Sequence, residues 1–143
     1  DLLDLSNDDK VLEVGTGSGY QAAILAHLVD HVYTIEIVEP LAKSAKKVFD
    51  ELDYENIQAR VGDGYKGWPD NSPFDAIIVT CSPSHIPQPL IDQLAEGGKL
   101  IIPVGESYTQ ELVLVTKKNG KVRKKDVIPV RFVPMKAPSG DSY

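Results

Sequence analysis

Apolar residues along this chain fall into short, dense runs separated by stretches of helical periodicity. Val11, Leu12 and Val14 form the first run and read as a buried parallel strand. Gly15-Thr16-Gly17-Ser18-Gly19 then turns the chain into a helical pattern over residues 21–29. Further strands are predicted at residues 31–36, 57–61, 74–80 and 100–104, each rich in β-branched or aromatic side chains. A helix is predicted over 40–52, with Pro40 in its first turn and Leu41, Ala45, Val48 and Leu52 on its buried face. Another is predicted over 87–95, opened by proline and stopped by Gly97-Gly98. Asn119-Gly120 separates a strand at 110–116 from a further extended stretch, a strong hairpin signal. The order predicts an α/β fold of Rossmann-like type, a mostly parallel, doubly wound sheet ending in an antiparallel hairpin. Trp68 and Pro69 are expected to cover the loop after the third strand, as core or lid. The tail from residue 134, rich in Pro, Ser and Gly, is expected to be loosely held.

The glycine turn is the first place where chemistry enters. Its backbone can approach a ligand closely, and the helix that follows presents free N–H groups. A dinucleotide fingerprint places its third glycine where this chain has Tyr20; the spacing here is G-x-G-x-G, preceded by the acid Glu13. An acid repels a pyrophosphate but suits an ammonium group, which favours S-adenosylmethionine over NAD. Glu36 ends the second strand, where a carboxylate can accept from ribose hydroxyls of either cofactor. Asp63, between Gly62 and Gly64 at the end of the third strand, is placed to accept the exocyclic amine of adenine. Thr80 and Ser82 leave the fourth strand at the same end and are candidates for the substrate side. His27, His31 and His85 show no ligand spacing, so no metal site is expected.

Length, charge and cysteine narrow the class. The 143 residues suit one domain. The leucines at positions 2, 3 and 5 read as the end of an element that begins upstream, so an N-terminally truncated domain is expected. No apolar run approaches the ~20 residues of a membrane span. Cys81 is the single cysteine, which excludes an internal disulfide and fits a reducing cytoplasm. Its expected role is that of a small buried side chain. The net charge of -6 is uneven: 13 acids and 5 bases lie in residues 1–63, leaving 8 acids and 10 bases after them. Lys117, Lys118, Lys121, Arg123, Lys124 and Lys125 surround the hairpin turn without interleaved aromatics, a solvated edge rather than a nucleic-acid surface.

Several segments together resemble bacterial protein-L-isoaspartate O-methyltransferases. They are residues 11–21, Val61-Gly62-Asp63-Gly64 with Gly67-Trp68, residues 73–80, Ile86-Pro87-Gln88, residues 90–94, Pro103-Val104-Gly105 and Arg131-Phe132-Val133-Pro134. The resemblance implies a class I methyltransferase fold and transfer of a methyl group from S-adenosyl-L-methionine to the α-carboxyl of L-isoaspartyl residues in damaged proteins. It also implies that Glu13, Gly15, Thr16, Gly17, Ser18 and Gly19 hold the methionine portion, Glu36 the ribose, and Asp63 with Gly64 the adenine. Isoaspartyl peptides and proteins are then the expected partners. The loop at residues 81–85 departs from the family pattern. The family's active-site serine precedes the first strand, before this chain begins, so no catalytic residue is assigned. A non-catalytic S-adenosylmethionine-binding module and a methyltransferase for another acceptor are the alternatives.

Overall fold

The computed structural model describes residues 3–106 and 109–143. Leu2, one of the three leucines read as the end of an upstream element, lies outside them, whereas Leu3 is buried. Five strands form the parallel part of a seven-stranded sheet: β1 (Lys10–Val14), β2 (His31–Glu36), β3 (Ile57–Val61), β4 (Phe74–Val79) and β5 (Leu94–Glu106). Two antiparallel strands complete it, β6 (Thr109–Lys118) and β7 (Lys121–Val130), and the spatial order is β3-β2-β1-β4-β5-β6-β7. The helices are α1 (Tyr20–Ala26), α2 (Glu39–Glu51) and α3 (Gln88–Asp92), with two short 3-10 turns between β3 and β4.

Side-chain alternation along the central strands builds two cores, one on each face of the sheet. Leu12, Val14, Tyr33, Ile35, Ile77 and Val79 meet Trp68 and α3 on one face. Val11, Val32 and Ala76 meet Ala22, Leu25, Ala45 and Phe49 of α1 and α2 on the other. Trp68 is therefore core, wedged edge-on against Tyr33 under the Arg60 guanidinium. The Asn119-Gly120 turn joins β6 to β7 with φ of 55° and 72°, the left-handed pair that matches strand twist. The β7 strand is the exposed edge, and its lysines stand in solvent.

Two helices differ from their expected form. α2 buries Ala42, Ala45 and Phe49, while Leu41, Val48 and Leu52 are exposed. Both stripes contain Ala45 and exclude the charged residues; the choice falls to Phe49, whose ring packs against Gly19 and Tyr54. α3 stops at Asp92 and does not run to Gly97-Gly98. Leu94 already pairs with Phe74, and the two glycines sit where the register jumps to Ala76 opposite Lys99.

The tail from residue 134, expected to be loosely held, makes specific contacts. Pro134 bridges to Ser82, Met135 is buried, and the Tyr143 ring stacks on Tyr65 at 4.4 Å between centroids.

Candidate functional site

The register aligns the carboxyl ends of four strands. Val14 lies beside Ile35 on one side and Val79 on the other, and Glu36 lies beside Val61. Strand order reverses direction between β1 and β4, so the chain leaves them to opposite sides and a crevice opens above both. A cavity of about 560 Å³ occupies it, within the range of small-molecule sites. Its walls come from the glycine loop, Glu36, Gly64, Thr80 and the segment after β7.

The loop glycines answer different needs. A Cβ at Gly15 would meet Thr80 Oγ1 at 2.3 Å, so the β1 and β4 ends could not close together. At Gly17 nothing lies within 4 Å, yet φ is +56°, and this residue borders the cavity. Gly15 N and Thr16 N both donate to Ile35 O, at 2.8 and 3.3 Å, tying the loop to the end of β2.

Glu36 is at the cavity wall. Its Oε1 accepts from Gly17 N at 2.8 Å and its Oε2 from Val38 N at 3.1 Å, which leaves each oxygen a lone pair for a ligand hydroxyl. Asp63 stands at the next strand end, where Gly62 N donates to Glu36 O at 3.0 Å. Its Oδ1 accepts from Tyr65 N at 3.1 Å and its Oδ2 from the Tyr143 hydroxyl. Gly64 borders the cavity, and a side chain there would drive into Val14.

Other expected site residues take different positions. Glu13 is fully buried beneath the loop on the α1/α2 face and does not line the cavity. Burial raises its carboxyl to about 7, against an opposing hydrogen bond from Thr34 and with a further push from Glu36. Thr80 does line the cavity, but its hydroxyl is directed at Gly15 O and Val14 O, 2.9 and 3.1 Å away. Ser82 is buried and turned away, with Oγ 3.2 Å from Gly105 O and its backbone bonded to Val133 and Met135. Cys81, the residue before it, lines the cavity instead, and burial pushes its thiol up to about 12. Residues 133–136, Leu41 and Cys81 line the cavity without having been singled out as site residues in the sequence. The contact of Val133 and Pro134 with Ser82 spans some fifty positions, and no local pattern encodes it.

A parallel 3-2-1-4-5 sheet extended by a hairpin, with a glycine loop and the strand-end acid Glu36 at one crevice, defines a Rossmann-like class I methyltransferase domain. An S-adenosylmethionine-dependent O-methyltransferase from Thermotoga maritima shares this fold at a TM-score of 0.62 and 19% identity, over 89% of this chain and 57% of that one. More specific likenesses follow. The profile of the family described as Protein-L-isoaspartate(D-aspartate) O-methyltransferase (PCMT) matches residues 1–139. Protein-L-isoaspartate O-methyltransferase 1 of Nitrosospira multiformis is 53% identical over 138 residues, which are 95% of this chain and 58% of that protein. The enzyme of that name from Opitutus terrae is 57% identical over 131 residues, 91% of this chain and 56% of its own length. A solved protein-L-isoaspartate O-methyltransferase superposes with a TM-score of 0.89 at 31% identity, over 96% of this chain and 45% of that one. A putative one from Plasmodium falciparum, in complex with S-adenosyl-L-homocysteine, gives 0.76 and 32%, over 92% and 67% of the two chains. The chain belongs to the protein-L-isoaspartate O-methyltransferase family. It spans little more than half the length of the curated relatives it matches.

Proposed function

We propose that this chain is the cofactor-binding core of an enzyme that methylates the α-carboxyl of L-isoaspartyl residues in damaged proteins, using S-adenosyl-L-methionine. The observation that carries the reading is the cavity of about 560 Å³ where Gly17, Glu36 and Gly64, from three neighbouring strand ends, converge. An adenosine suits it: Glu36 offers free lone pairs to the ribose, and Asp63 beside Gly64 offers an acceptor to the adenine amine. The loop from Gly15 to Gly19, with Thr16 and Ser18, holds the amino-acid end. An unpartnered buried oxygen, Glu13 Oε2, lies beneath that loop, where a ligand ammonium favours its charged form.

The bound cofactor supplies an electrophilic methyl group. The isoaspartyl carboxyl has an ordinary pKa near 4 and is ionised at neutral pH, so no residue has to remove a proton from it. What remains is placement, and holding acceptor and donor in one crevice converts an encounter into a near-unimolecular step. Glu36 and Asp63 fix the nucleoside, Thr80 holds the β4 end against the glycine loop, and residues 133–136 close the far wall. The free Cys81 is consistent with a reducing cytoplasm.

An isoaspartyl peptide incubated with the protein and methyl-labelled cofactor should become a base-labile ester. Cofactor binding in a calorimeter without ester formation leaves a cofactor-binding module, and failure to bind overturns the reading altogether.

A further inference from the structure

Glu13 and Thr34 are register partners on adjacent parallel strands, so their side chains share one face. The core on that face is otherwise apolar: α1 contributes Ala22 and Leu25, α2 contributes Ala45 and Phe49, and β4 sets Ile78 opposite Glu13. Both side chains are 0% exposed, so an idle hydroxyl at Thr34 would be a burden that valine avoids. It is not idle. Thr34 Oγ1 donates to Glu13 Oε1 at 2.7 Å and lies 2.5 Å from Thr16 Oγ1 in the glycine loop. A hydroxyl has one hydrogen, so the second bond must be donated by Thr16. The chain of donors therefore runs from the loop to the acid, and Glu13 Oε2 is left without a partner.

We propose that Thr34 is a positioning residue for cofactor capture: it ties the buried Glu13 carboxylate to the glycine loop through Thr16, so that binding of a ligand ammonium draws Glu13 into its charged form and releases a proton. This rests on the cofactor reading above. Free Glu13, held near 7, can carry its proton on Oε2, the oxygen with no bond to lose. A cation over the loop lowers that pKa, because opposite charge favours the ionised form. Glu36 is the charged neighbour that acts on Glu13 among the described residues, and its charge works in the opposite sense. The sign is thus set: affinity falls as pH drops below about 7, by at most about tenfold per pH unit.

Calorimetry with S-adenosylmethionine between pH 5.5 and 7.5, in buffers of different ionisation enthalpy, counts the protons. Release of a fraction approaching one proton at the acid end is expected. Methylthioadenosine, which lacks the amino-acid part, should release none. Thr34→Val removes the bond that lowers the Glu13 pKa, so the affinity profile should move to higher pH, and Thr34→Ser should restore it. A purely structural role weakens binding at all pH values without moving the midpoint, and that result overturns the proposal. Should Thr34→Val not fold, the carbon-13 titration of the Glu13 carboxyl decides: a midpoint near 7 that falls on adding cofactor is expected, and an unmoved midpoint overturns the proposal. Binding with no proton release sinks this inference alone, whereas no binding at all sinks the cofactor reading beneath it.

Discussion

Glu13 lies under the loop with its carboxyl raised from 4.5 to about 7 by burial. A raised acid binds its proton more tightly in the folded state than in the unfolded chain. Folding stability without ligand should therefore be greatest below pH 4.5, as far as this group goes, and decline as pH rises to about 7, by roughly 3 kcal/mol. Glu13→Gln should remove that slope, and urea unfolding at pH 5 and pH 8 measures it; an unchanged slope assigns the pH dependence elsewhere. Cys81 makes a second residue-scale case. Although it borders the cavity, its thiol stays protonated, because burial and the nearby Glu36 both disfavour the thiolate. At pH 7.5 iodoacetamide should label the folded protein far more slowly than a free cysteine, and labelling at the free rate would disprove the thiol assignment.

Between elements, long polar side chains stitch the loops to the sheet. Gln93 follows α3 and reaches back to the 3-10 turn after β3: its Oε1 accepts from Trp68 N at 2.8 Å, and its Nε2 donates to Lys66 O at 2.8 Å. It fills the space above Gly67, where a Cβ would lie 2.3 Å from Gln93 Oε1. Gln93→Ala leaves a buried N–H and a carbonyl without partners and should cost about 2–4 kcal/mol. The urea midpoint should fall with little change in the denaturant slope. Lys117 works similarly, its ammonium lying 3.1 and 3.0 Å from the carbonyls of Ile91 and Leu94. That lysine belongs to the basic cluster around the hairpin, yet it points at α3 and not at solvent.

At the scale of the whole molecule, the C-terminal segment closes the crevice that the parallel strands begin. Tyr143 stacks on Tyr65, donates its hydroxyl to Asp63, and accepts from Ser84 N through its carbonyl at 3.2 Å. Both Asp63 oxygens thus already accept a hydrogen bond, Oδ2 from Tyr143 and Oδ1 from Tyr65 N. Asp63→Ala should weaken S-adenosylmethionine binding by more than tenfold, since a hydrogen bond to a charged acceptor is worth about 1.5–3 kcal/mol. Tyr143→Phe keeps the stacked ring but removes the competing donor, and should tighten binding a few-fold in the same titration. An unchanged dissociation constant for Asp63→Ala refutes its adenine role; weaker binding by Tyr143→Phe shows that the hydroxyl supports the nucleoside and does not compete with it.

Much of this architecture was legible in the chain because its signals are local. Strands β2 and β3 fall at their expected bounds, the Asn-Gly turn sits where its backbone angles require, and the G-x-G-x-G loop follows β1 directly. Glycine spacing, period-two burial and strand-end acids act over a few residues, so order and composition suffice to place them. The face of α2, the early end of α3, the inward turn of Ser82 and the closure of the crevice by residues 133–136 were not legible. Each depends on a partner far along the chain: Phe49 chooses the α2 face by packing on Gly19, and Leu94 leaves the helix to pair with Phe74. The sequence by itself determined the parallel frame and the acids at its strand ends. Only the tertiary structure decided which of those acids meets the cavity and which lies beneath it, because that depends on strand register and on what packs against each face.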